Sequence, residues 1–218
     1  MKENKLLRGL CVLTAALMLG LTGCASSSDA NGSDAQSQAD TAEVQSAWTE
    51  LDQTTITKEM GMGWNLGNQL EASNAGIPSE TTWGNPTISE DLIKAVKEQG
   101  FKTVRIPVSY LDKIGAAPDY TIDSAWLDRV QEVVDYVVGN DLYAIINIHG
   151  DGYYTVDKSW LRCVDDNQDE IKDKYEKVWA QIADRFKDYD QHLIFESMNE
   201  ESDNTYGKPN ATGYENIN

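Results

Sequence analysis

Four short apolar segments alternate with segments of helical periodicity from about Trp48 onward. The apolar segments predict strands over 62–66, 103–107, 142–148 and 193–198. Apolar residues that recur three and four positions apart predict helices over 91–99, from Asp123 or Ser124 to Gly139, and over 168–186. This alternation of strand and helix predicts an α/β fold made of parallel βα units.

The number of βα units leaves two architectures open. Parallel units either close into a TIM (β/α)8 barrel, which needs eight strands and typically ~250 residues, or spread into a doubly wound open sheet. The chain has 218 residues, and its pattern predicts only four strands. We therefore expect either the first four βα units of a barrel or a short open sheet.

The first 23 residues predict export rather than a part of the fold. Lys2, Lys5 and Arg8 form a basic segment, and the apolar stretch that follows is too short to span a bilayer. Leu21-Thr22-Gly23-Cys24 then resembles a bacterial lipobox, in which the Cys is acylated after cleavage. We expect a signal peptide over 1–23 and a lipid anchor at Cys24, although an ordinary signal peptide with a Cys at this place by chance would look similar.

The next segment has the composition of a tether. Residues 25–42 contain no Lys or Arg and no large apolar side chain, so they cannot bury enough surface to fold. We expect residues 24–46 to consist of the lipidated Cys and a disordered tether, and residues 47–218 to form the folded domain. Such a protein would sit on the outer surface of a bacterial membrane.

Charge and composition exclude several classes of partner. The formal net charge is −18, which argues against nucleic acid and is compatible with a neutral substrate. Only Cys163 lies in the predicted folded domain, so no disulfide framework is expected within one chain. The chain has only two His residues and no glycine-rich phosphate or dinucleotide motif, so we expect no metal and no cofactor.

Polar side chains end or follow each predicted strand, at the edge where α/β proteins build their sites. Arg105 lies in the second strand, His149 follows the third, and Asn199 and Glu200 follow the fourth. Glu200 is therefore the first candidate for a catalytic acid. The alternative is the first turn of a helix, where Asn and Glu are also favoured.

Several of these residues have a plausible structural role instead. Arg105 can form an ion pair with Glu196, and His149 can be a hydrogen-bonded core residue. We expect Asn147 to hold a loop by side-chain hydrogen bonds. The loops are rich in aromatic side chains, which either pack locally or stack on sugar rings. These aromatic residues are Trp83, Tyr110, Tyr153, Tyr154, Trp160 and Tyr206, and Trp83 and Trp160 are the candidates for substrate binding.

Five motifs resemble glycoside hydrolase family 5, and most closely its bacterial endoglucanase and xyloglucanase branch. They are Gly63-Trp64-Asn65-Leu66-Gly67-Asn68, Trp83-Gly84-Asn85-Pro86, Val104-Arg105-Ile106-Pro107, Ile146-Asn147-Ile148-His149 and Phe195-Glu196-Ser197-Met198-Asn199-Glu200. The match runs from about residue 54 to residue 200, in the order and spacing of the family. The resemblance implies a (β/α)8 barrel, of which the chain carries the N-terminal half, and retaining hydrolysis of β-1,4-glycosidic bonds.

The resemblance also implies a role for each matching residue. Glu200 matches the catalytic acid/base, and Asn199 matches the Asn that binds the 2-hydroxyl of the sugar. Arg105 matches the Arg that supports the nucleophilic carboxylate, and His149 matches the His that lines the cleavage subsite. One departure is Glu201, which stands where the family usually has Pro.

A second departure concerns the nucleophile, which the family places after its seventh strand. No residue of this chain matches it, so we expect the 218-residue polypeptide alone to be inactive. The expected function of the complete barrel is endo-acting hydrolysis of cellulose, xyloglucan or a related β-1,4-glucan, by a protein that is monomeric when full length. The main alternative is a surface lipoprotein that binds glycans without catalysis. A solute-binding lipoprotein is a further alternative, but 218 residues leave little room for its two lobes.

Overall fold

The computed structural model describes residues 51–201, which include all four predicted strands and all three predicted helices. These described residues fold into four helices and six strands in the order α1 (Gln53–Met60), β1 (Gly63–Asn65), β2 (Ser73–Asn74), β3 (Ile77–Pro78), α2 (Glu90–Glu98), β4 (Thr103–Ile106), α3 (Ser124–Val138), β5 (Tyr143–Asn147), α4 (Gln168–Arg185) and β6 (Leu193–Glu196). The predicted signal peptide, Cys24, the whole predicted tether and Tyr206 lie outside the described residues.

The predicted helices begin where their capping residues indicate. The side chain of Ser89 accepts a hydrogen bond from the Leu92 amide at the start of α2, and Asp123 caps α3 in the same way through the amides of Ala125 and Trp126. These caps satisfy amide groups that the first turn of a helix leaves without a partner. The sequence analysis missed two elements, the short helix α1 and the two-stranded hairpin of β2 and β3.

The order of the strands separates the two architectures that periodicity left open. The main sheet has the order β1-β4-β5-β6. Each of these strands pairs in parallel with the strand of the same sheet that follows it in the chain. In a doubly wound sheet the strand order reverses at a switch point, whereas in a barrel consecutive strands are neighbours. The described part of the chain therefore has the topology of the first four βα units of a barrel.

The two faces of this sheet differ in burial. Val104, Ala144 and Leu193 are paired across neighbouring strands and are buried in the core together with α2, α3 and α4. The alternate row includes Arg105, which is only partly buried. Because side chains alternate between faces along a strand, this second row corresponds to the interior of the barrel.

No helix among residues 51–201 is long and apolar enough to cross a membrane.

Candidate active site

An arginine and a glutamate join the second and fourth strands of the main sheet. Arg105 on β4 forms a bidentate ion pair with Glu196 on β6: Nε donates to Oε2 at 2.7 Å and Nη2 donates to Oε1 at 2.6 Å. The hydrogen bond from the guanidinium is the main cause that lowers the pKa of Glu196 below 4.5, and the same hydrogen bond raises the pKa of Arg105. Both groups therefore stay charged at neutral pH.

Arg105 also positions side chains at the ends of two other segments. Its Nη2 donates to Asn199 Oδ1 at 2.8 Å, and its Nη1 donates to Asn65 Oδ1 at 3.1 Å. The ion pair that the sequence analysis offered as an alternative is thus present, and the same guanidinium holds the Asn that the resemblance places at the site. The ion pair with Glu196 is therefore observed, and the role that the resemblance implies for Arg105 stays a prediction.

Asn147, the last residue of β5, contacts His149 two residues further along the chain. The Asn147 carbonyl oxygen accepts a hydrogen bond from the Val108 amide at 3.4 Å, which turns its NH₂ group toward Glu196 at 3.1 Å and His149 Nδ1 at 3.4 Å. Nδ1 then acts as an acceptor, which favours the tautomer with its proton on Nε2. Burial lowers the pKa of His149, so the imidazole is neutral at pH 7 and offers an N–H donor.

Glu200 lies in a turn directly after β6. Its φ angle is +45°, in the left-handed region that residues with a Cβ rarely adopt. The side chain is exposed, and its Oε2 accepts a hydrogen bond from the Tyr153 hydroxyl at 3.1 Å. The same hydroxyl accepts a hydrogen bond from Asn199 Nδ2 at 2.6 Å. Tyr153 therefore bridges the two polar residues that end the fourth strand.

Tyr153 also connects Glu200 to His149. The Tyr153 and His149 rings meet edge to face, with their centroids 6.3 Å apart. Burial lowers the pKa of His149, and the negative charge of Glu200 opposes part of this effect. The pKa of Arg105 is raised mainly by its hydrogen bond with Glu196, and the charge of Glu200 adds to this increase. Glu200, Asn199, Arg105 and His149, which the sequence analysis predicted as site residues, thus lie together on one rim of the sheet.

A cavity of about 250 Å³ opens beside this rim. His149 and Tyr153 line one part of it, and Trp83 lines another. Trp83 is 53% exposed, and its indole N–H donates to the Ser73 carbonyl at 2.9 Å. This hydrogen bond fixes the orientation of the Trp83 ring at the wall of the cavity, and stacking of the ring on a sugar stays a prediction.

The hairpin that holds Trp83 also touches the loop that carries Tyr153. Gly76 lies at the hairpin tip with φ +70°, and a Cβ at this position would overlap the backbone carbonyl of Asp157. Two backbones therefore meet directly at this side of the cavity. Only glycine permits both the left-handed angle and this close approach.

Trp160 lies away from this cavity. Its indole N–H donates to Asp151 Oδ2 at 2.9 Å, and the Lys174 ammonium lies 4.5 Å from the centre of its ring. It lines a second concavity together with Tyr120 and Lys174. The structure therefore gives Trp160 a structural role under the loop after β5, and its predicted contact with substrate gains no support from its position.

Asp151 and Tyr153 are the residues that the sequence analysis did not assign to the site. Asp151 is fully buried and accepts hydrogen bonds from Ser109 Oγ at 2.8 Å, the Tyr110 amide and the Trp160 indole. The sequence analysis gave Asp151 no role and named Tyr153 only as one of several loop aromatics. Both residues lie within four positions of His149 in the sequence, which could have indicated that they belong near the site. Their partners Ser109 and Glu200 are 42 and 47 positions away, and the sequence pattern does not reveal such contacts.

Among the residues that the structure describes, no group of three or more His, Cys, Asp or Glu side chains is arranged to hold a metal ion.

Comparison with known proteins accounts for this arrangement of residues. The model of the family described as "Cellulase (glycosyl hydrolase family 5)" matches residues 68–218. The chain belongs to glycosyl hydrolase family 5. It is 58% identical over 163 residues to Endoglucanase A of Paenibacillus barcinonensis, which covers 75% of this chain and 41% of that protein.

Solved structures from glycosyl hydrolase family 5 agree with the fold. A family 5 xyloglucanase from Paenibacillus pabuli in complex with ligand is 60% identical with a TM-score of 0.73, over 75% of this chain and 45% of that one. A broad specificity endoglucanase from Ruminococcus champanellensis with bound cellotriose is 43% identical with a TM-score of 0.67, over 75% and 47%. The chain spans less than half the length of these relatives, and its sheet is the corresponding part of a TIM barrel.

Proposed function

We propose that this chain belongs to a retaining, endo-acting glycoside hydrolase that cleaves β-1,4-glucan. The observation that carries the proposal is the position of Glu200, which stands at the end of a barrel strand beside Asn199 and within reach of the Tyr153 hydroxyl. In family 5 relatives named as endoglucanases and as a xyloglucanase, the substrate is a β-glucan of this class. Cellulose, xyloglucan and related β-1,4-glucans all fit the proposal.

Glu200 would act as the general acid and then as the general base. In the first step a carboxylic acid protonates the oxygen of the leaving group, and in the second it takes a proton from the attacking water. Tyr153 donates a hydrogen bond to the Glu200 carboxylate, which limits the rotation of the side chain. The neutral His149 offers an N–H donor to a sugar hydroxyl in the same cavity.

Retaining hydrolysis needs a second carboxylate about 5–5.5 Å from the first, free to attack the anomeric carbon. Glu196 is held by Arg105 and Asn147. Glu71, which also borders the cavity, accepts hydrogen bonds from the backbone amides of residues 68 and 69. Both carboxylates are held by these hydrogen bonds, so neither is free to act as the nucleophile. We therefore expect the 218-residue polypeptide to have no glycosidase activity by itself.

A chimeric barrel tests the proposal directly. Residues 47–201 would replace the corresponding half of the Paenibacillus pabuli xyloglucanase, which is 60% identical in the matching region. Release of reducing sugar from carboxymethyl cellulose and xyloglucan is expected from the chimera and not from the 218-residue polypeptide. Glu200→Gln in the chimera should lower turnover by about 10²–10⁴-fold, the usual contribution of a general acid.

The outcome that contradicts the proposal is turnover that survives Glu200→Gln. A folded chimera that binds cello-oligosaccharides without cleaving them would instead favour the non-catalytic glycan-binding lipoprotein. The Glu98→Ala variant, which removes an exposed carboxylate far along the chain in α2, serves as the matched control.

We further infer that Cys24 is acylated and anchors the protein to the outside of a bacterial membrane. The support is the basic segment, the apolar stretch and the lipobox-like run before Cys24. Metabolic labelling with a radioactive fatty acid should mark the wild-type protein and not the Cys24→Ala variant. Equal labelling of the two proteins would contradict the inference.

A further inference from the structure

The turn that carries Glu200 has a buried residue on each side. Asn199 is 9% exposed and Glu201 is 7% exposed, while Glu200 between them is exposed. The left-handed φ angle of Glu200 is unfavourable for a residue with a Cβ. Such a conformation persists only when neighbouring groups hold it in place.

The anchor on the Asn199 side belongs to the site already described. The Asn199 amide nitrogen of the backbone donates to the Ile148 carbonyl at 3.0 Å. Its side chain contacts Arg105 and Tyr153. The position of Asn199 is therefore fixed by its backbone contact with Ile148, directly after β5, and by its side-chain contacts with Arg105 and Tyr153.

The anchor on the other side is the carboxyl group of Glu201. It fills the space next to Gly152, where a Cβ would overlap Glu201 Oε2 and would also crowd the Leu161 carbonyl at 2.5 Å. Gly152 lies between the buried Asp151 and Tyr153 in the loop after β5. The absence of a side chain at position 152 thus creates the room into which the Glu201 carboxyl fits.

We propose that Glu201 is a positioning residue, whose buried carboxyl group locks the turn after β6 onto the loop after β5 and so holds Glu200 against Tyr153, which lines the cavity. This inference rests on the proposed function of Glu200. It assigns a role to Glu201, which stands directly after the fifth motif, where the family usually has Pro. Pro at this position would restrict the backbone of the turn, and Glu201 achieves a similar restriction through side-chain burial.

Glu201 is buried close to a second buried carboxyl group, Asp151, and this environment favours the neutral form of Glu201. Asp151 accepts hydrogen bonds from three donors, an arrangement that suits a carboxylate, and Lys174 on α4 adds a positive charge nearby. Burial, with a smaller contribution from the charge of Asp151, raises the pKa of Glu201 to about 9. Two tyrosines among residues 51–201 also interact with the charge of Glu201: Tyr153, whose pKa burial raises to about 12, and Tyr175, whose pKa burial also raises.

This proton assignment has a clear consequence for stability. Between pH 4.5, the usual pKa of Glu, and about 9, the folded protein holds a proton on Glu201 that the unfolded chain releases. Stability therefore falls as pH rises through this window, by up to about tenfold in the folding equilibrium constant for each pH unit. Burial also raises the pKa of Asp151, to about 7, so the part of the window above pH 7 belongs mainly to Glu201.

Four versions of the 218-residue protein test the inference: wild type, Glu201→Gln, Glu201→Ala and the control Glu98→Ala. Gln has the size of a protonated Glu and cannot ionise. We therefore expect Glu201→Gln to keep the positive φ of Glu200, measured from backbone NMR shifts and couplings, and to lose the fall in urea stability between pH 7 and 9. Its affinity for cellotriose should stay within about twofold of wild type, less than the effect of one net hydrogen bond.

Glu201→Ala should release the turn. We expect Glu200 to leave the left-handed region and cellotriose to bind at least about fivefold more weakly, since the contacts of Asn199 and Tyr153 depend on the turn. If Glu201→Ala does not fold, Glu201→Asp replaces it, because its carboxyl group is withdrawn by one methylene from the space beside Gly152. The Glu98→Ala control should match wild type in all three measurements.

Two results would overturn the positioning role. One is an unchanged Glu200 backbone in Glu201→Ala or Glu201→Asp, and the other is a Glu201→Gln protein that behaves like Glu201→Ala. If wild type itself does not bind cellotriose, the proposed function fails, and the Glu200 backbone in the variants still decides the role of Glu201.

Discussion

Removal of the Arg105 side chain should affect stability and the site together. Arg105→Met keeps most of the apolar stem and removes the guanidinium that holds Glu196, Asn199 and Asn65. The side chains of Arg105 and Glu196 are 26% and 32% exposed. Loss of one partner from a fully buried pair costs about 3–5 kcal/mol and loss of an exposed pair about 0–1 kcal/mol, so this partly exposed pair should cost about 2 kcal/mol.

The pH dependence of this cost identifies its origin. The folded pKa of Glu196 lies below 4.5 because of Arg105. The stabilisation by the pair is therefore complete above pH 4.5 and is lost as pH falls through the lowered pKa. Urea unfolding of wild type and Arg105→Met, followed by circular dichroism, should show a difference that shrinks as pH falls below 4.5, where the carboxylate takes up a proton.

A second arginine provides a matched control. Arg129 on α3 also forms a bidentate pair, with Glu80, and it donates to the Ile88 carbonyl at 2.7 Å, away from the cavity. Arg129→Met should destabilise the protein without a specific change in cellotriose affinity, whereas Arg105→Met should weaken both. A cost below about 0.5 kcal/mol for Arg105→Met, within the range of ordinary surface substitutions, or a cost that does not change with pH, would refute the reasoning.

Three further variants separate the roles of individual side chains. Tyr153→Phe removes the hydroxyl between Asn199 and Glu200; we expect about a fivefold loss of cellotriose affinity by calorimetry, with an unchanged melting temperature arguing for a local effect. Trp83→Ala should weaken cellotriose binding by about 1 kcal/mol with little loss of stability. Trp160→Phe should lower the free energy of unfolding by about 1–3 kcal/mol, because buried Asp151 loses a hydrogen-bond donor. The opposite result for the two variants would exchange the roles of the two residues. Asp123→Ala should lower stability by about 1 kcal/mol in urea unfolding through loss of the α3 cap, and no loss would contradict the capping role.

The regular elements followed closely from the sequence. Helices α2, α3 and α4 begin or end within a residue or two of their predicted bounds, because their apolar stripes and capping residues are local signals. The hairpin of β2 and β3 was missed, since two-residue strands leave no periodic pattern to detect. The choice between a barrel and an open sheet depends on strand order, which is a property of the whole chain.

The clustering of polar side chains was predictable where these side chains lie in a strand or directly after one. Arg105, His149, Asn199 and Glu200 were identified because strand positions are fixed by pattern. Partners that come from loops were not predictable, since the contacts of Tyr153 with Asn199 and Glu200 join residues that are 46 and 47 positions apart. Trp83 and Trp160 looked equivalent as sequence, and only the donors and acceptors around each ring distinguish them.

The contact of Gly76 with the backbone of Asp157 sets how far apart two walls of the cavity can stand. Since main-chain atoms meet there, substitutions elsewhere in either loop leave that spacing almost unchanged. Any L-amino acid at position 76 would wedge the hairpin outward and carry Trp83 with it. Insertions or deletions in the hairpin, rather than exchanges of single side chains, are therefore the means by which a protein of this design would come to accept a wider or a narrower glycan.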